Sequence, residues 1–205
     1  MRGAVGAIAA AGLAALLAGC GGQRQDAHEP SGRFRVEVVG ASFPARQQIA
    51  EPVALRIIVR NDDRQALPDV AVTVETRPAS AGQSPLAFGQ ASKDPRLADT
   101  GRPVWVLDSP PRGGETADTN TWALGPLQPG ETRTFEWKLV AAHAGTYTVG
   151  YRVSPGLNGK ARPAGRRTHG AFHVTITDKP VPARVDDNGN VVRGGSGVSA
   201  SSSGQ

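Results

Sequence analysis

Residues 53–60 read Val-Ala-Leu-Arg-Ile-Ile-Val-Arg, and every second side chain from Val53 to Val59 is apolar. Residues 134–139, Thr-Phe-Glu-Trp-Lys-Leu, repeat this alternation with larger apolar side chains. Because successive side chains of a strand point to opposite faces, an apolar period of two predicts half-buried β-strands. No stretch after residue 20 shows a comparable run of apolar residues at helical spacing.

The same alternation recurs along the chain, and turn-forming residues separate its occurrences. Further alternating stretches lie at residues 34–38, 70–74, 147–153 and 172–176, with turn signals at Asn61-Asp62-Asp63, Gln128-Pro129-Gly130 and Ala144-Gly145. Each such strand has one apolar face, so two sheets must pack together to hide these faces. The pattern predicts an all-β fold: a single antiparallel β-sandwich of about seven strands.

Two parts of this predicted domain resemble known modules. Residues 53–76 combine an apolar strand ending in Arg60-Asn61 with Leu67-Pro68-Asp69-Val70 and a further strand. Residues 124–132, Leu-Gly-Pro-Leu-Gln-Pro-Gly-Glu-Thr, precede a long strand, and Ala144-Gly145-Thr146-Tyr147 opens the next. Both parts resemble CARDB and related bacterial immunoglobulin-like modules. The resemblance implies an immunoglobulin-like sandwich over residues 33–178, interrupted by a long insert at 77–119, and no particular chemistry.

The amino-terminal segment has the layout of a signal peptide, with basic Arg2, an apolar run over residues 4–18 and small residues before Cys20. Leu17-Ala18-Gly19-Cys20 resembles the lipobox of bacterial lipoproteins. The resemblance implies cleavage between Gly19 and Cys20, and attachment of fatty acyl chains at Cys20. Two acyl chains are enough for stable membrane anchoring. Cys20 is the only cysteine of the chain, so it has no disulfide partner within it.

Two alternatives compete with a lipoprotein signal. A transmembrane helix needs about 20 apolar residues, and residues 4–19 are fewer and rich in Ala and Gly. Cys20 would otherwise be a chance residue near an ordinary cleavage site. The expected organisation is a signal peptide over 1–19, a flexible tether over 20–32, the sandwich over 33–178, an extension over 179–193 with a hairpin, and a disordered Gly/Ser tail over 194–205.

Composition limits the classes of function. Removal of residues 1–19 leaves 186 residues, enough for one domain with a buried core. Arg2 is the only charged residue of the leader, so the formal charge falls from +5 to a mild +4 that is spread along the chain. This spread and the expected export argue against nucleic acid as a partner. None of the common motifs for nucleophilic, metal-dependent or phosphate-binding catalysis occurs, so we expect no enzyme and no cofactor.

Two features are candidate partner-binding sites. Trp105 lies on the insert and could anchor a protein or glycan partner, although its apolar neighbours Val104 and Val106 also fit a buried strand that caps the sandwich. Residues 160–167 carry Lys160 and three arginines, with no acidic residue among them. The arginines are Arg162, Arg166 and Arg167. This run would meet anionic lipid headgroups or wall polymers near the anchor, or would be a solvated loop.

Metal binding is a weaker hypothesis. His169 and His173 are four residues apart, which places them on one face of a strand, where they would form a metal pair or simply face solvent. Residues 186–190, Asp-Asp-Asn-Gly-Asn, resemble the start of a calcium loop but lack its distal glutamate. The Asn188-Gly189 pair favours a hairpin turn there. We therefore predict no metal ligand.

These observations predict a lipid-anchored protein on the extracytoplasmic face of the cell membrane. It would present one immunoglobulin-like sandwich as a non-enzymatic interaction or accessory module of the cell envelope. Its partners would be the membrane, through the anchor, and an envelope protein or wall polymer. The alternatives are a small-ligand or metal-handling lipoprotein and an accessory subunit of an envelope complex.

Overall fold

The computed structural model describes residues 29–78, 87–90 and 103–193 of the 205-residue chain. Within these ranges there is no α-helix, and hence none long and apolar enough to cross a membrane. The strands are β1 (Gly32–Phe34), β2 (Val36–Ser42), β3 (Arg46–Ile49), β4 (Pro52–Asn61), β5 (Ala71–Pro78), β6 (Gly89–Gln90), β7 (Trp105–Ser109), β8 (Glu115–Asp118), β9 (Thr121–Ala123), β10 (Thr132–Ala141), β11 (Gly145–Ser154), β12 (Ala161–Pro163), β13 (His169–Pro180), β14 (Ala183–Val185) and β15 (Val191–Arg193). The predicted leader, the site at Gly19 and Cys20, and the tail after residue 193 lie outside the described residues.

Two large sheets form the domain. One has the strand order β2-β4-β10-β7-β6, and the other β3-β13-β11-β5-β9-β8. The long central strands pair antiparallel, whereas β3 with β13 and β6 with β7 are parallel. The described residues also form two small two-stranded sheets, β1-β12 and β14-β15. The predicted all-β sandwich is confirmed.

The strand register places the apolar positions of neighbouring strands side by side. In the β4–β10 pair, Leu55 is opposite Trp137 and Ile57 is opposite Phe135, and all four side chains are fully buried. In the other sheet, Val72 of β5 is opposite Val153 of β11, and both are buried. The alternation of each long strand therefore produces one core-facing and one solvent-facing surface per sheet.

Aromatic contacts join the two sheets. Trp137 of β10 meets Trp122 of β9 edge-on, with ring centroids 5.4 Å apart and planes at 78°. Trp105 of β7 meets Tyr147 of β11 at 5.6 Å and 64°. Edge-to-face pairs of this kind contribute about 0.5–1.5 kcal/mol each beyond the burial of their area. Because each pair links a strand of one sheet to a strand of the other, together they provide cohesion without a disulfide.

The segment predicted as a long insert, 77–119, extends both sheets. β7 pairs with β10 and β6 pairs with β7 in the five-stranded sheet. β8 pairs with β9, which in turn pairs with β5, in the six-stranded sheet. These strands are short and carry no period-two signal: β7 begins with three apolar residues in a row, and β8 has alanine as its single apolar residue.

Asn61 ties the end of β4 to two loops. It is completely buried, and each of its polar groups is satisfied. Its Nδ2 donates to the carbonyl oxygens of Gln65 and Leu127, both at 2.8 Å, and its Oδ1 accepts from the Asp63 amide at 2.8 Å. Its backbone amide donates to the Glu131 carbonyl at 3.0 Å, and its carbonyl accepts from the Gly130 amide at 2.9 Å. A single side chain thus fixes the turn after β4 and the loop before β10.

Replacement of this side chain should be costly. We expect Asn61→Leu to lower the free energy of unfolding by about 3 kcal/mol, because it leaves buried backbone groups without partners. Chemical denaturation followed by tryptophan fluorescence measures this change. Gln65→Leu is the control: its side chain is exposed, and we expect a change within about 0.5 kcal/mol. Equal effects of the two variants would contradict a structural role for the Asn61 side chain.

Candidate functional site

Trp105 belongs to the core. Its side chain has no exposed surface, and its Nε1 donates a hydrogen bond to Oε1 of Gln47 at 2.7 Å. Gln47 is itself buried and donates through Nε2 to the Pro44 carbonyl at 2.9 Å. The prediction of Trp105 as a partner-binding residue is therefore wrong. The indole instead fills the space between β7 and β3, as its apolar neighbours indicated.

The predicted basic run, residues 160–167, is hydrogen-bonded along the edge of the sandwich. Its β12 pairs in parallel with β1, the Ala164 amide donates to the Phe34 carbonyl, and the Val38 amide donates to the Arg167 carbonyl, both at 2.8 Å. Arg167 also forms an ion pair with Glu37, at 2.9 Å. Arg162 and Arg166 are exposed and have no carboxylate partner within the part of the chain that the structure describes. The three arginines thus belong to one edge segment, and two of them have no ion-pair partner among the described residues.

Glu29 joins this edge to the start of the domain. Its carboxylate accepts three backbone N–H groups, from Leu157 at 2.6 Å, Asn158 at 2.8 Å and Ala161 at 2.7 Å. Gly156 completes the enclosure, because a Cβ at that position would collide with the Glu29 carboxylate. The predicted tether, 20–32, therefore extends too far: from Glu29 onward the chain is part of the domain. Glu29 lies in a polar stretch that has no apolar period, so the sequence carries no signal that this residue belongs to the domain.

A cleft lies on the solvent-facing surface of the six-stranded sheet. Its volume is about 310 Å³. Gly150 of β11 forms the floor: a Cβ there would have only the Glu75 and Gly170 carbonyl oxygens near it, at 3.9 and 4.0 Å. The missing side chain therefore leaves room between neighbouring strands. The cleft is lined by Thr73, Glu75, Arg77, Thr148, Gly150, Tyr151, Arg152, His169, Gly170 and Ala171.

Charged and hydroxyl side chains surround this floor. Glu75 lies between two arginines, with its carboxylate 3.0 Å from Arg77 and 3.7 Å from Arg152. Exposed ion pairs of this kind contribute little to stability, so both guanidinium groups are available to a ligand at low cost. The Tyr151 hydroxyl is protonated at neutral pH in any case, and burial raises its pKa further. Guanidinium and hydroxyl donors together suit carboxylate, phosphate or sugar hydroxyl acceptors.

Sequence reasoning missed this cleft, although one signal was present. Gly150 sits in the middle of an otherwise regular strand, and an isolated strand glycine often marks the close approach of another group. The polar residues on its two sides, Thr148 and Arg152, follow from the alternation. Their partners Glu75 and Arg77 are more than 70 residues away in the chain and reach the cleft only through the β5–β11 register.

His169 and His173 both lie exposed on β13, on one face, as their spacing indicated. His169 lines the cleft, while Nδ1 of His173 is 3.2 Å from the Thr148 hydroxyl. Among the residues the structure describes, no group of three or more His, Cys, Asp or Glu side chains could hold a metal ion.

The Asp186 region forms a hairpin. β14 and β15 pair antiparallel, with Val185 opposite Val191, around a turn in which Gly189 has a φ of 82°. The Asp186 carboxylate accepts the backbone amides of Asn190 at 2.8 Å and Asn188 at 3.0 Å. These bonds hold the pKa of Asp186 below its usual value, with the Asn190 amide as the largest cause. The carboxylate thus serves the turn, as expected for a hairpin rather than a calcium loop.

Comparison with known proteins shows similarity at the level of structure only. No protein-family model matches the chain, and no curated protein matches it. The CARDB domain of a Pyrococcus furiosus protein, solved in complex with di-metal ions, is similar with 13% identity and a TM-score of 0.42, over 71% of this chain and 94% of that domain. A β-glucosidase from Listeria innocua, in complex with glucose, has 15% identity and a TM-score of 0.41, over 72% of this chain and 17% of the enzyme. Escherichia coli α2-macroglobulin, from domain MG7 to the C-terminus, has the same identity and TM-score, over 74% and 18%.

The Glu29 contacts predict a local effect. Glu29→Ala removes the acceptor of three backbone amides, so we expect the amides of Leu157, Asn158 and Ala161 to exchange hydrogen at least about tenfold faster. Hydrogen–deuterium exchange measures this directly. Glu51→Ala is the matched control, because among the described residues its carboxylate accepts a single backbone amide, that of nearby Gln48. Unchanged exchange of the three amides in Glu29→Ala would show that Glu29 does not hold this loop.

Proposed function

We propose that this chain is a lipid-anchored protein of the extracytoplasmic face of the cell membrane. It presents one CARDB-like, immunoglobulin-like sandwich as a non-enzymatic binding module of the cell envelope. The observation that carries the binding role is the cleft over Gly150, which combines an open floor with guanidinium and hydroxyl groups. The anchor rests on the Leu17-Ala18-Gly19-Cys20 sequence.

The two halves of this proposal support each other physically. A chain held at Cys20 by acyl chains stays on the membrane, and residues 21–28 then connect the anchor to Glu29, where the domain begins. The large sheets bury their apolar faces against each other and leave polar outer faces for contact. The cleft lies on one of these outer faces. This arrangement is suited to holding a recognition surface close to the bilayer.

The chemistry of the cleft favours acceptor-rich partners. Arg77 and Arg152 offer N–H donors to carboxylates or phosphates, and Thr73 and Thr148 offer hydroxyl groups to a glycan. An envelope protein with an acidic segment, or an anionic wall polymer, carries these acceptors. The proposed partner belongs to this class, and the sandwich then serves as an accessory subunit that holds it at the membrane.

Small-ligand handling is the second candidate, and the size of the cleft favours it. A volume of about 310 Å³ is at the lower end of the range for small-molecule sites, about 300–1,000 Å³. The same guanidinium and hydroxyl donors would then hold a small anion or a sugar. Both candidates use the same site, so the identity of the molecule bound there distinguishes them.

The anchor makes a prediction about processing. In cells, Cys20→Ala should block acylation and leave an uncleaved, unlipidated precursor, because the thiol is the attachment point. Metabolic labelling with a fatty-acid analogue and the mass of the membrane-bound protein measure this outcome. The serine variant Cys20→Ser should behave in the same way. Normal cleavage and membrane retention of either variant would refute the lipid anchor.

Filling the cleft tests the binding role. Gly150→Phe places a ring over the floor, and its backbone is compatible because φ at Gly150 is not in the left-handed region. Crosslinking of the native protein in its own cells, followed by mass spectrometry, should capture one envelope protein or wall polymer, with capture reduced at least about tenfold in the variant. Thr134→Phe is the control, since Thr134 is exposed on a strand of the other sheet.

The outcomes of this experiment separate the candidates. Capture that is lost in Gly150→Phe but kept in Thr134→Phe supports the binding module. If nothing is captured, a small anion or sugar that raises the thermal unfolding midpoint of the natural chain, but not of Gly150→Phe, supports small-ligand handling. Capture that both variants retain equally would rule out the cleft as the binding site.

A further inference from the structure

Four cations lie on residues 160–167, the segment that is hydrogen-bonded to the start of the domain. They are Lys160, Arg162, Arg166 and Arg167, and together they are called the junction surface. We propose that the junction surface rests on anionic phospholipid headgroups and so fixes the orientation of the anchored domain on the bilayer. The inference rests on the proposed lipid anchor at Cys20. It adds a second, electrostatic contact with the membrane, and it assigns that contact to named residues.

The structure places the start of the domain inside this surface. Glu29 accepts the Ala161 amide at 2.7 Å, and Ala161 lies between Lys160 and Arg162 in the chain. Gly32 then donates to the Lys160 carbonyl at 3.1 Å. The polypeptide that leads back to the anchor therefore leaves the domain next to these cations, and not from the opposite end of the sandwich.

The length of the connection keeps this edge near the membrane. Eight residues lie between Cys20 and Glu29, so nine Cα–Cα steps join the two, and a fully extended chain spans at most about 3.3–3.6 Å per step. Glu29 therefore cannot be more than about 30 Å from the acylated cysteine. A domain tethered this closely presents a high local concentration of its nearest surface to the headgroups, so contacts that are weak in solution become populated.

The positive charges of the junction surface favour an anionic surface as its partner. Lys160, Arg162 and Arg166 are exposed and meet no carboxylate among the residues the structure describes, while Arg167 is paired with Glu37 at 2.9 Å. Each basic residue near an anionic leaflet strengthens binding about fivefold. Three such residues would give only weak membrane binding to a protein that is free in solution. For a protein already held at the bilayer, they are enough to favour one orientation.

An anionic wall polymer offers similar charges, but the geometry favours lipid. The junction surface lies beside the tether, where the nearest anions are the headgroups around the acyl chains. The cleft over Gly150 lies on the outer face of a large sheet and is free to meet a polymer or protein. The two surfaces would then serve separate partners, with the membrane at the junction surface and the recognised partner at the cleft.

The chain itself supplies the probe for a test. Cys20 is the only cysteine, so residues 20–205 can be coupled through its thiol to a maleimide lipid in vesicles, which replaces biological acylation. Lys160 is the only lysine of the junction surface, whereas Lys138 and Lys179 are exposed on other parts of the domain. The rate of amine acylation at each lysine, read by mass spectrometry, then reports which region faces the bilayer.

We expect Lys160 to be acylated at least about fivefold more slowly on vesicles containing phosphatidylglycerol than on vesicles of phosphatidylcholine alone. Lys138 and Lys179 should react equally on both. High salt should remove the protection of Lys160, because it screens the headgroup charge. Equal acylation of Lys160 on the two vesicle types would overturn the proposal, whether or not acylation of Cys20 in cells is established.

A charge-reversal pair provides the matched variant. Arg162→Glu with Arg166→Glu should abolish the protection of Lys160, whereas Arg64→Glu with Arg184→Glu, the same change at two exposed positions elsewhere, should preserve it. Unfolding midpoints of both double variants confirm that each is folded. Loss of protection in both would show that only the overall charge matters, and would overturn the assignment to the junction surface. If soluble wall polymer, but not anionic vesicles, protects Lys160, the occupant is the polymer and the lipid contact is refuted.

Discussion

The sandwich depends on aromatic contacts between its two sheets. Trp137 against Trp122, and Trp105 against Tyr147, each join a strand of one sheet to a strand of the other. No disulfide is available to do this, since the chain has a single cysteine. Because the indoles occupy the interior, the outer face of each sheet is left to polar side chains. The burial of the large rings between the sheets therefore determines which surfaces remain polar and available to partners.

The long strands were predictable because they obey one simple rule. β4, β10 and β11 are ten residues long and each carries an apolar alternation of at least six residues, which indicates a half-buried strand whatever its partners. β3, β6 and β8 are short and lie in edge regions or in irregular sequence, where long-range pairing decides the structure. Asn61 is another feature that depends on long-range contacts and so could not be predicted from local sequence. Its sequence neighbourhood is typical of a turn, whereas its burial depends on loops 66–70 residues away.

The candidate sites divide in the same way. A run of basic residues is visible in the sequence, and the arginines of that run are exposed on a segment at the edge of the sandwich. The ambiguity of Trp105 is also visible, but a single aromatic residue beside apolar neighbours does not reveal whether a second sheet covers it. The cleft requires three strands in register, with Glu75, Gly150 and Ala171 side by side. Only the folded chain brings those positions together.

The Glu29 junction also has a mechanical consequence. Tension transmitted along the chain from its amino-terminal side reaches Glu29 first, where three N–H bonds hold the carboxylate. It next reaches β1, which pairs only over three residues with β12. Only then does it reach β2 and the large sheets. Short contacts in series therefore carry the load before it reaches the aromatic core, so we expect the junction to open under tension before the large sheets do.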